Sequence, residues 1–419
     1  MSYPRSVYIA GGAITPFIGK FHPDFIWKGH PDFGQRQNPT LEEYLHRVIR
    51  SALADVQIDA SRVDRGFVGN FVGELFSNQG HLGSMAIAAD PGLLHKPFLR
   101  IEGACASGGL ALACGIDAIQ AGARVVLVVG VEVQTTRNAL DGADFLARAA
   151  HYEKERGIDP FTFPALFARR AKAYFERHGG GPEDLGTIVE KAYANANRNP
   201  NAHMRSVKMS REEASTPSES NPCFLENPDL RDYLKVSDCS QISDGACCVI
   251  LVSNDGLEYI GEEPGRAVEV IAHGVAAGPL GQVEDYTRLN VTSAAASLAY
   301  SSAGWDATDP DFAEVHDCFS ISEALICEAL GFCKEGEGIA LAASGGTSID
   351  GKIPVNTGGG LIAFGHPVGA TGVKQAYEIF RQLNGECGDY QISDVPHRAI
   401  SANIGGDDRT SVVTLYEKS

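Results

Sequence analysis

Four stretches of this chain carry groups suited to chemistry. Cys105 lies in Ile101-Glu102-Gly103-Ala104-Cys105-Ala106-Ser107-Gly108-Gly109, after Pro97 to Arg100 and before the helical run Leu110 to Gln120. That order places it at a strand-to-helix turn, where unpaired backbone N–H groups and the helix dipole favour a thiolate nucleophile. The alternative is a small thiol packed beneath the turn. In Glu314-Val315-His316-Asp317-Cys318-Phe319-Ser320-Ile321-Ser322-Glu323, Ser320 and Glu323 have the spacing of a capping box, so a helix begins near Ser320. His316, Asp317 and Cys318 then sit on the loop feeding it, either as a proton-transfer group or as a polar loop with one buried thiol. Zinc is set aside, because adjacent residues seldom coordinate one ion and no second ligand cluster has the spacing. Third, Gly365-His366-Pro367-Val368-Gly369-Ala370-Thr371-Gly372 follows Asn356-Thr357-Gly358-Gly359-Gly360. It holds a histidine that titrates near neutrality on a restricted backbone, beside glycines that leave room for a ligand. Fourth, Ser401-Ala402-Asn403-Ile404-Gly405-Gly406-Asp407-Asp408 lies between two strand-like runs. Its glycines either offer N–H donors to an oxyanion or form a plain hairpin turn.

The elements that must position these groups alternate. Short apolar or β-branched runs (Val7 to Ala10, Phe67 to Val72, Val125 to Val131, Cys247 to Val252, Val268 to Ile271, Val412 to Leu415) are separated by helical patterns, which argues for an α/β class. Between 134 and 239 the texture changes to helices such as Phe163 to His178, broken by Asn- and Pro-rich segments. This block is expected to be an insertion, because strands resume on both sides of it. It holds Arg169, Arg170, Lys172, Arg198, Arg205, Lys208 and Arg211, a cluster that is either a solvated helix face or a phosphate-recognition surface. Cys105 to Gly122 and Gly365 to Asn384 share a shape, a glycine turn running into a helix, as in a faint internal duplication.

Composition bounds the rest. The 419 residues include 35 Lys plus Arg against 53 Asp plus Glu, a formal charge of −18, so nucleic acid and anionic membrane surfaces are excluded as general partners. Ten scattered cysteines indicate reduced thiols in a reducing compartment. The N-terminus lacks a signal-peptide core, and no apolar stretch is long enough to span a bilayer. A cytoplasmic enzyme is the expectation.

Taken together, these residues resemble the thiolase superfamily over essentially the whole chain. Tyr8 to Phe17 is similar to the family's opening strand and Thr-Pro-Phe turn, and Gly130-Val131-Glu132 to its Gly-Met-Glu. Asp238-Cys239-Ser240 with Ser243-Asp244-Gly245-Ala246 resembles the segment re-entering the N-terminal domain, and Gly365 to Gly372 matches the Gly-His-Pro signature. His316-Asp317-Cys318-Phe319 in place of Asn-Glu-Ala-Phe, and Asn403-Ile404-Gly405 in place of Cys-x-Gly, resemble the sterol-carrier-protein-two type. The run Asn199 to His203 resembles that branch's insertion.

The resemblance implies a five-layer α-β-α-β-α fold of two similar halves: an N-terminal half (1–133, completed by 240–262), an inserted loop domain (134–239) and a C-terminal half (263–419). It implies an acyltransferase, a homodimer or tetramer, that uses acyl-CoA and coenzyme A as substrates without a further cofactor or metal. By the same resemblance Cys105 is the acyl acceptor, His366 its base, His316 an enolate donor and Cys318 the acid/base thiol at C2. Backbone N–H groups of Cys105 and Gly405 hold an oxyanion, Asp317 orients its neighbours and Asn403 lines the pocket. The competing readings are a ketoacyl or hydroxymethylglutaryl-CoA synthase-like enzyme, and a non-catalytic thiolase-like subunit or aldolase partner.

Overall fold

Each of the apolar runs falls within or overlaps a strand of one connected sheet. The strands are β1 (Val7–Ile14), β2 (Arg65–Gly69), β3 (Phe98–Ile101), β4 (Val125–Glu132), β5 (Gly245–Ser253), β6 (Val268–Ala277), β7 (Phe312–Val315), β8 (Arg398–Gly405) and β9 (Thr410–Glu417). The helices that position the site are α1 (Leu41–Asp55), α2 (Ser107–Gln120), α3 (Ala139–Leu146), α4 (Thr162–His178), α5 (Gly186–Ala196), α6 (Asn290–Ala303), α7 (Ser320–Ala329) and α8 (Thr371–Leu383). This computed structural model describes residues 3–259 and 264–418. The expected boundary at 262–263, Met1, Ser2 and Ser419 lie outside the described residues.

The strand order is β3-β2-β4-β5-β1-β6-β9-β8-β7. Two residue pairs join the halves across β1 and β6, Tyr8 with Glu269 and Ile9 with Val268. On either side of that join the same pattern unfolds. The series β1-β5-β4-β2 runs antiparallel, antiparallel, parallel, and β6-β9-β8-β7 runs the same way. The duplication that is faint in the residues is therefore plain in the topology.

Every residue of β4 and β5 is buried, as strands covered by helices on both faces require. Helices α2 and α8 form the middle layer, where Ala111, Leu112 and Ile116 meet Val373, Ala376 and Phe380 between side chains of both half-sheets. Helix α1 covers the outer face of the first half, and α6 and α7 that of the second, which gives five layers. The middle helices approach closely at glycines: a Cβ on Gly372 would lie 2.1 Å from the Gly109 amide nitrogen, and one on Gly108 2.8 Å from the Gly369 carbonyl. This contact brings the turn before α2 and the turn before α8 to one place.

Between β4 and β5 the chain runs through α3, α4 and α5. Phe167 of α4 stacks on Phe319 before α7, with ring centroids 4.5 Å apart, a contact worth about 1 kcal/mol beyond its buried area. The intervening block is thus anchored on the C-terminal half.

Two of its seven clustered basic residues, Arg169 and Arg170, turn inward and take no part in any phosphate-recognition surface. Arg170 is fully buried; it pairs with Asp407 and donates to the carbonyls of Tyr286 (3.1 Å) and Arg288 (2.9 Å). Arg169 lies over the Tyr286 ring and 3.6 Å from both Glu155 and Asp407. An arginine buried without a partner would be costly, so packing turned this part of the cluster inward onto a carboxylate.

Candidate active site

Cys105 sits where the strand-to-helix pattern puts it, in a turn of 3-10 helix (Ala104–Ala106) directly before α2. The turn is tight: Ala104 has φ +53°, a left-handed conformation that costs a residue with a Cβ roughly 1–2 kcal/mol. Strain of this kind persists only where the surroundings hold it. Here Ala104 N donates to Glu102 (2.6 Å), while Ser107 Oγ accepts from Gly103 N (3.0 Å) and donates to Ala104 O (2.6 Å).

The helix-dipole expectation of a resting thiolate is not met. Burial pushes the Cys105 thiol up to about 12, against the opposing backbone N–H of Gly406. Desolvation outweighs the dipole, and the sulfur rests as a thiol that needs a base.

Two imidazoles lie beside it. Reactive atoms of Cys105, His316 and His366 lie within 4.8 Å of one another, and the two imidazoles meet edge to face at 5.0 Å between centroids. The three come from loops far apart in the chain. Spacing along the sequence excluded a metal-type cluster, but the fold assembles three donors of the types zinc uses. Gly365, at φ +115°, turns the chain into His366, and a Cβ there would lie 2.6 Å from Ser243 Oγ. His366 Nδ1 is 2.6 Å from Thr371 Oγ1, whose hydroxyl donates to Pro367 O at 3.2 Å. The Thr371 proton is thereby used, so His366 Nδ1 carries the hydrogen and Nε2 keeps a lone pair. Nε2 is buried and has no hydrogen-bond partner among the described residues. Burial lowers this imidazole to about 3, so it stands neutral with that lone pair bare.

His316 is likewise held neutral, well below its usual range, by burial and then by His366. Its Nδ1 is 2.9 Å from Asn403 Nδ2. Cys318 is buried, 3.7 Å from Ser322 Oγ, and burial followed by the nearby Cys105 raises its thiol well above the ordinary value. Asp317 points away from the other two: its Oδ1 accepts from Leu361 N (2.6 Å) under the Gly360 turn, and burial drives its carboxyl strongly upward. It fixes the loop from behind.

Helix α7 starts at Ser320, but no capping box holds it. Ser320 Oγ donates to Asp238 Oδ1 (2.8 Å) and Glu323 pairs with Lys191. Tertiary partners took both side chains from the local pattern.

The fourth stretch is both things at once, a hairpin between β8 and β9 and a wall of the site. The amide that reaches the sulfur is that of Gly406, and Gly406 lines the cavity; Gly405, one residue earlier, is the last residue of β8 and packs against the Gly103 carbonyl. Buried Arg170 holds Asp407, the next residue, and so fixes this turn from the intervening block.

Three supports carry weaker signals in the sequence. Glu132, buried at the end of β4, accepts from Phe71 N (2.8 Å), Asn70 Nδ2 (2.8 Å) and Gly369 N (3.1 Å), which clamps the Gly-His-Pro turn to the first half. Gln134 Oε1 accepts from Val368 N (3.1 Å) and Thr371 orients His366. Glu132 and Gln134 act through hydrogen bonds to distant backbone, which no local spacing reveals.

Cys105, His316, Cys318, His366 and Gly406 line a cavity of about 420 Å³. Its other walls are mainly apolar: Ala139, Ala143 and Leu146 of α3, Phe161, Phe163 and Phe224 of the intervening block, and Phe319. Such a dry wall strengthens every polar interaction at the sulfur.

Two family models match the chain: Thiolase, N-terminal domain, over residues 30–161, and Thiolase C-terminal domain-like, over residues 272–418. The chain is 37% identical over 372 residues to an acetyl-CoA acetyltransferase of Methanothermobacter thermautotrophicus, covering 88% of this chain and 92% of that protein. This chain belongs to the thiolase family. It is an acyltransferase. The thiolase is also 32% identical to sterol carrier protein 2 of Oryctolagus cuniculus, over 88% of this chain and 66% of that protein. In fold it is similar to an Ltp2-ChsH2(DUF35) aldolase, with a TM-score of 0.76 over 98% of both chains at 20% identity. Among the described residues no helix of the thiolase is long and apolar enough to cross a membrane.

Proposed function

We propose that this chain cleaves 3-ketoacyl-CoA by thiolysis, or runs the reverse Claisen condensation, through an acyl group carried on Cys105. The observation that carries the reading is one buried thiol beside two neutral imidazoles, at the wall of an apolar cavity that a second thiol also lines. In the degradative direction Cys105 sulfur attacks the keto carbon C3 as its proton passes to His366 Nε2. The Gly406 and Cys105 amides hold the oxyanion, a contact worth roughly 3–4 kcal/mol per donor. The C2–C3 bond then breaks and its electron pair moves into the thioester enolate, whose oxygen His316 supports. Cys318 protonates C2, and acetyl-CoA leaves.

Coenzyme A next attacks the acyl-sulfur carbonyl. Its thiol proton restores Cys318, while His366 returns its own proton to Cys105, so protons balance over the cycle. Both thiols are high in their resting state, which suits groups that must keep a proton until the reaction calls for it. The wall of Ala139, Ala143, Phe161, Phe163 and Phe224 supports an apolar acyl group larger than acetyl. A homodimer or tetramer belongs to the same proposal. The aldolase likeness supports a second reading, a subunit that cleaves carbon–carbon bonds without acyl transfer. Cys105, seated against His366, favours the first.

The test is spectrophotometric thiolysis of acetoacetyl-CoA and longer 3-ketoacyl-CoAs by the native enzyme and by Cys105→Ala. Loss of thiolysis and of acyl-enzyme in the variant is expected. Undiminished thiolysis by Cys105→Ala removes the assignment.

A further inference from the structure

The three donors at the centre have the composition of a zinc site: one thiol and two imidazoles within 4.8 Å of one another. Whether such a cluster takes a metal or holds an oxyanion depends on where the imidazole hydrogens sit. A metal needs a bare lone pair on each inward nitrogen, with the outer nitrogen donating to an acceptor. An oxyanion needs a hydrogen on at least one inward nitrogen.

The neighbours of His316 decide the matter, starting from α2. Gly109 N donates to Asn403 Oδ1 at 2.9 Å. The carboxamide is crowded there: a Cβ on Gly372 or Gly109 would lie 2.4 or 2.7 Å from that oxygen. Turning the amide over would set its NH2 against the Gly109 N–H, two donors face to face. With the oxygen so fixed, Asn403 Nδ2 has two hydrogens and two acceptors, the Cys105 carbonyl at 3.2 Å and His316 Nδ1 at 2.9 Å. His316 Nδ1 must accept, so its hydrogen is on Nε2. The other tautomer would bury two opposed donors, a penalty that biases the equilibrium roughly ten- to a hundredfold. His366 has the reverse arrangement, with Thr371 taking its Nδ1–H.

We propose that Asn403 is a positioning residue that fixes His316 as the Nε2–H tautomer, making it a hydrogen-bond donor toward the substrate and weakening the cluster's hold on divalent metals. The two histidines then differ in role through their partners alone: the one on Asn403 donates and the one on Thr371 accepts. The donor role toward a substrate rests on the thiolase reading; the tautomer and the weakened metal binding do not.

The substitution that probes this is Asn403→Asp. The introduced carboxylate still accepts from Gly109 N, but it offers His316 Nδ1 an acceptor in place of a donor, and the imidazole turns over to Nδ1–H. Both inward nitrogens are then bare. Titration with cobalt(II) chloride, read through the sulfur-to-cobalt charge-transfer absorption, is expected to show binding at least about tenfold tighter in Asn403→Asp than in the native enzyme. Thiolysis is expected to fall about a hundredfold in kcat, with little change in KM for coenzyme A. Equal cobalt affinity in the two proteins overturns the proposal. If Asn403→Asp does not fold, 15N NMR of histidine-labelled native enzyme decides, with the His316 signals assigned by their loss in His316→Asn. A protonated Nε2 and bare Nδ1 support the assignment and the reverse overturns it. An inactive native enzyme with the expected tautomer and cobalt response would sink the thiolase reading and leave this one standing.

Discussion

Replacing His366 by Asn isolates the claim that the reactive sulfur rests as a thiol. Asn leaves a polar side chain in the same place but cannot take a proton. With the Cys105 thiol at about 12, only about one molecule in ten thousand carries a thiolate at pH 8, the equivalent of roughly 5 kcal/mol. On the proposed mechanism native enzyme never forms free thiolate, because His366, neutral above about pH 3, takes the proton only as the carbon–sulfur bond forms. Acylation of native enzyme by acetyl-CoA is therefore expected to be nearly flat from pH 6 to 9. In His366→Asn the rate at pH 8 should fall by about 10³ to 10⁴, and the remainder should climb about tenfold per pH unit, because attack then depends on thiolate formed in advance. Rapid-quench mass spectrometry of the Cys105 adduct measures both. A loss under tenfold, or a residual rate indifferent to pH, would refute the picture of a neutral thiol and imidazole pair.

Cys318→Ala should leave acyl transfer from acetyl-CoA to Cys105 within a few fold of native while carbon–carbon cleavage drops by about 10² to 10⁴; survival of both half-reactions makes Cys318 structural. Stability should also report His366. Its folded value, about 3, lies below the ordinary 6.5, so the unfolded chain binds the extra proton, and this contribution is complete above pH 6.5 and lost as pH falls toward 3. Glu132 and Asp244, raised by burial to about 7 and about 6, act in the opposite sense, so the difference between proteins is diagnostic. Urea unfolding should show native minus His366→Asn stability falling by about 1.4 kcal/mol per pH unit below 6.5; a constant difference would mean the imidazole is not buried neutral.

The turn before Cys105, the octapeptide around His366, the loop of His316 to Cys318 and the alternation of strands and helices were legible from residue types alone. Each is a local matter: glycine at a bend, proline after histidine, a β-branched run. Even the likeness of Cys105–Gly122 to Gly365–Asn384 pointed to two halves, because each is one chain segment forming one turn and one helix. Other properties depended on what lies behind a side chain, and the sequence does not state that. Ser320 and Glu323 had the spacing of a cap, yet Asp238 and Lys191 took them. Arg170 read as a basic surface residue and is a buried tie to Asp407. The helix dipole argued for a thiolate at Cys105, and desolvation by burial reversed it.

The residues by themselves determined which functional groups this protein owns and which turns present them, since both follow from the covalent chain and its local torsions. Tertiary structure alone decided the hydrogen-bond direction at each imidazole, the protonation of each thiol and the approach of the Gly406 amide to the sulfur. Those depend on burial and on partners as much as 298 residues away, as between Asn403 and Cys105. The free energy of a proton is set by its surroundings, and the surroundings exist only once the two halves have met.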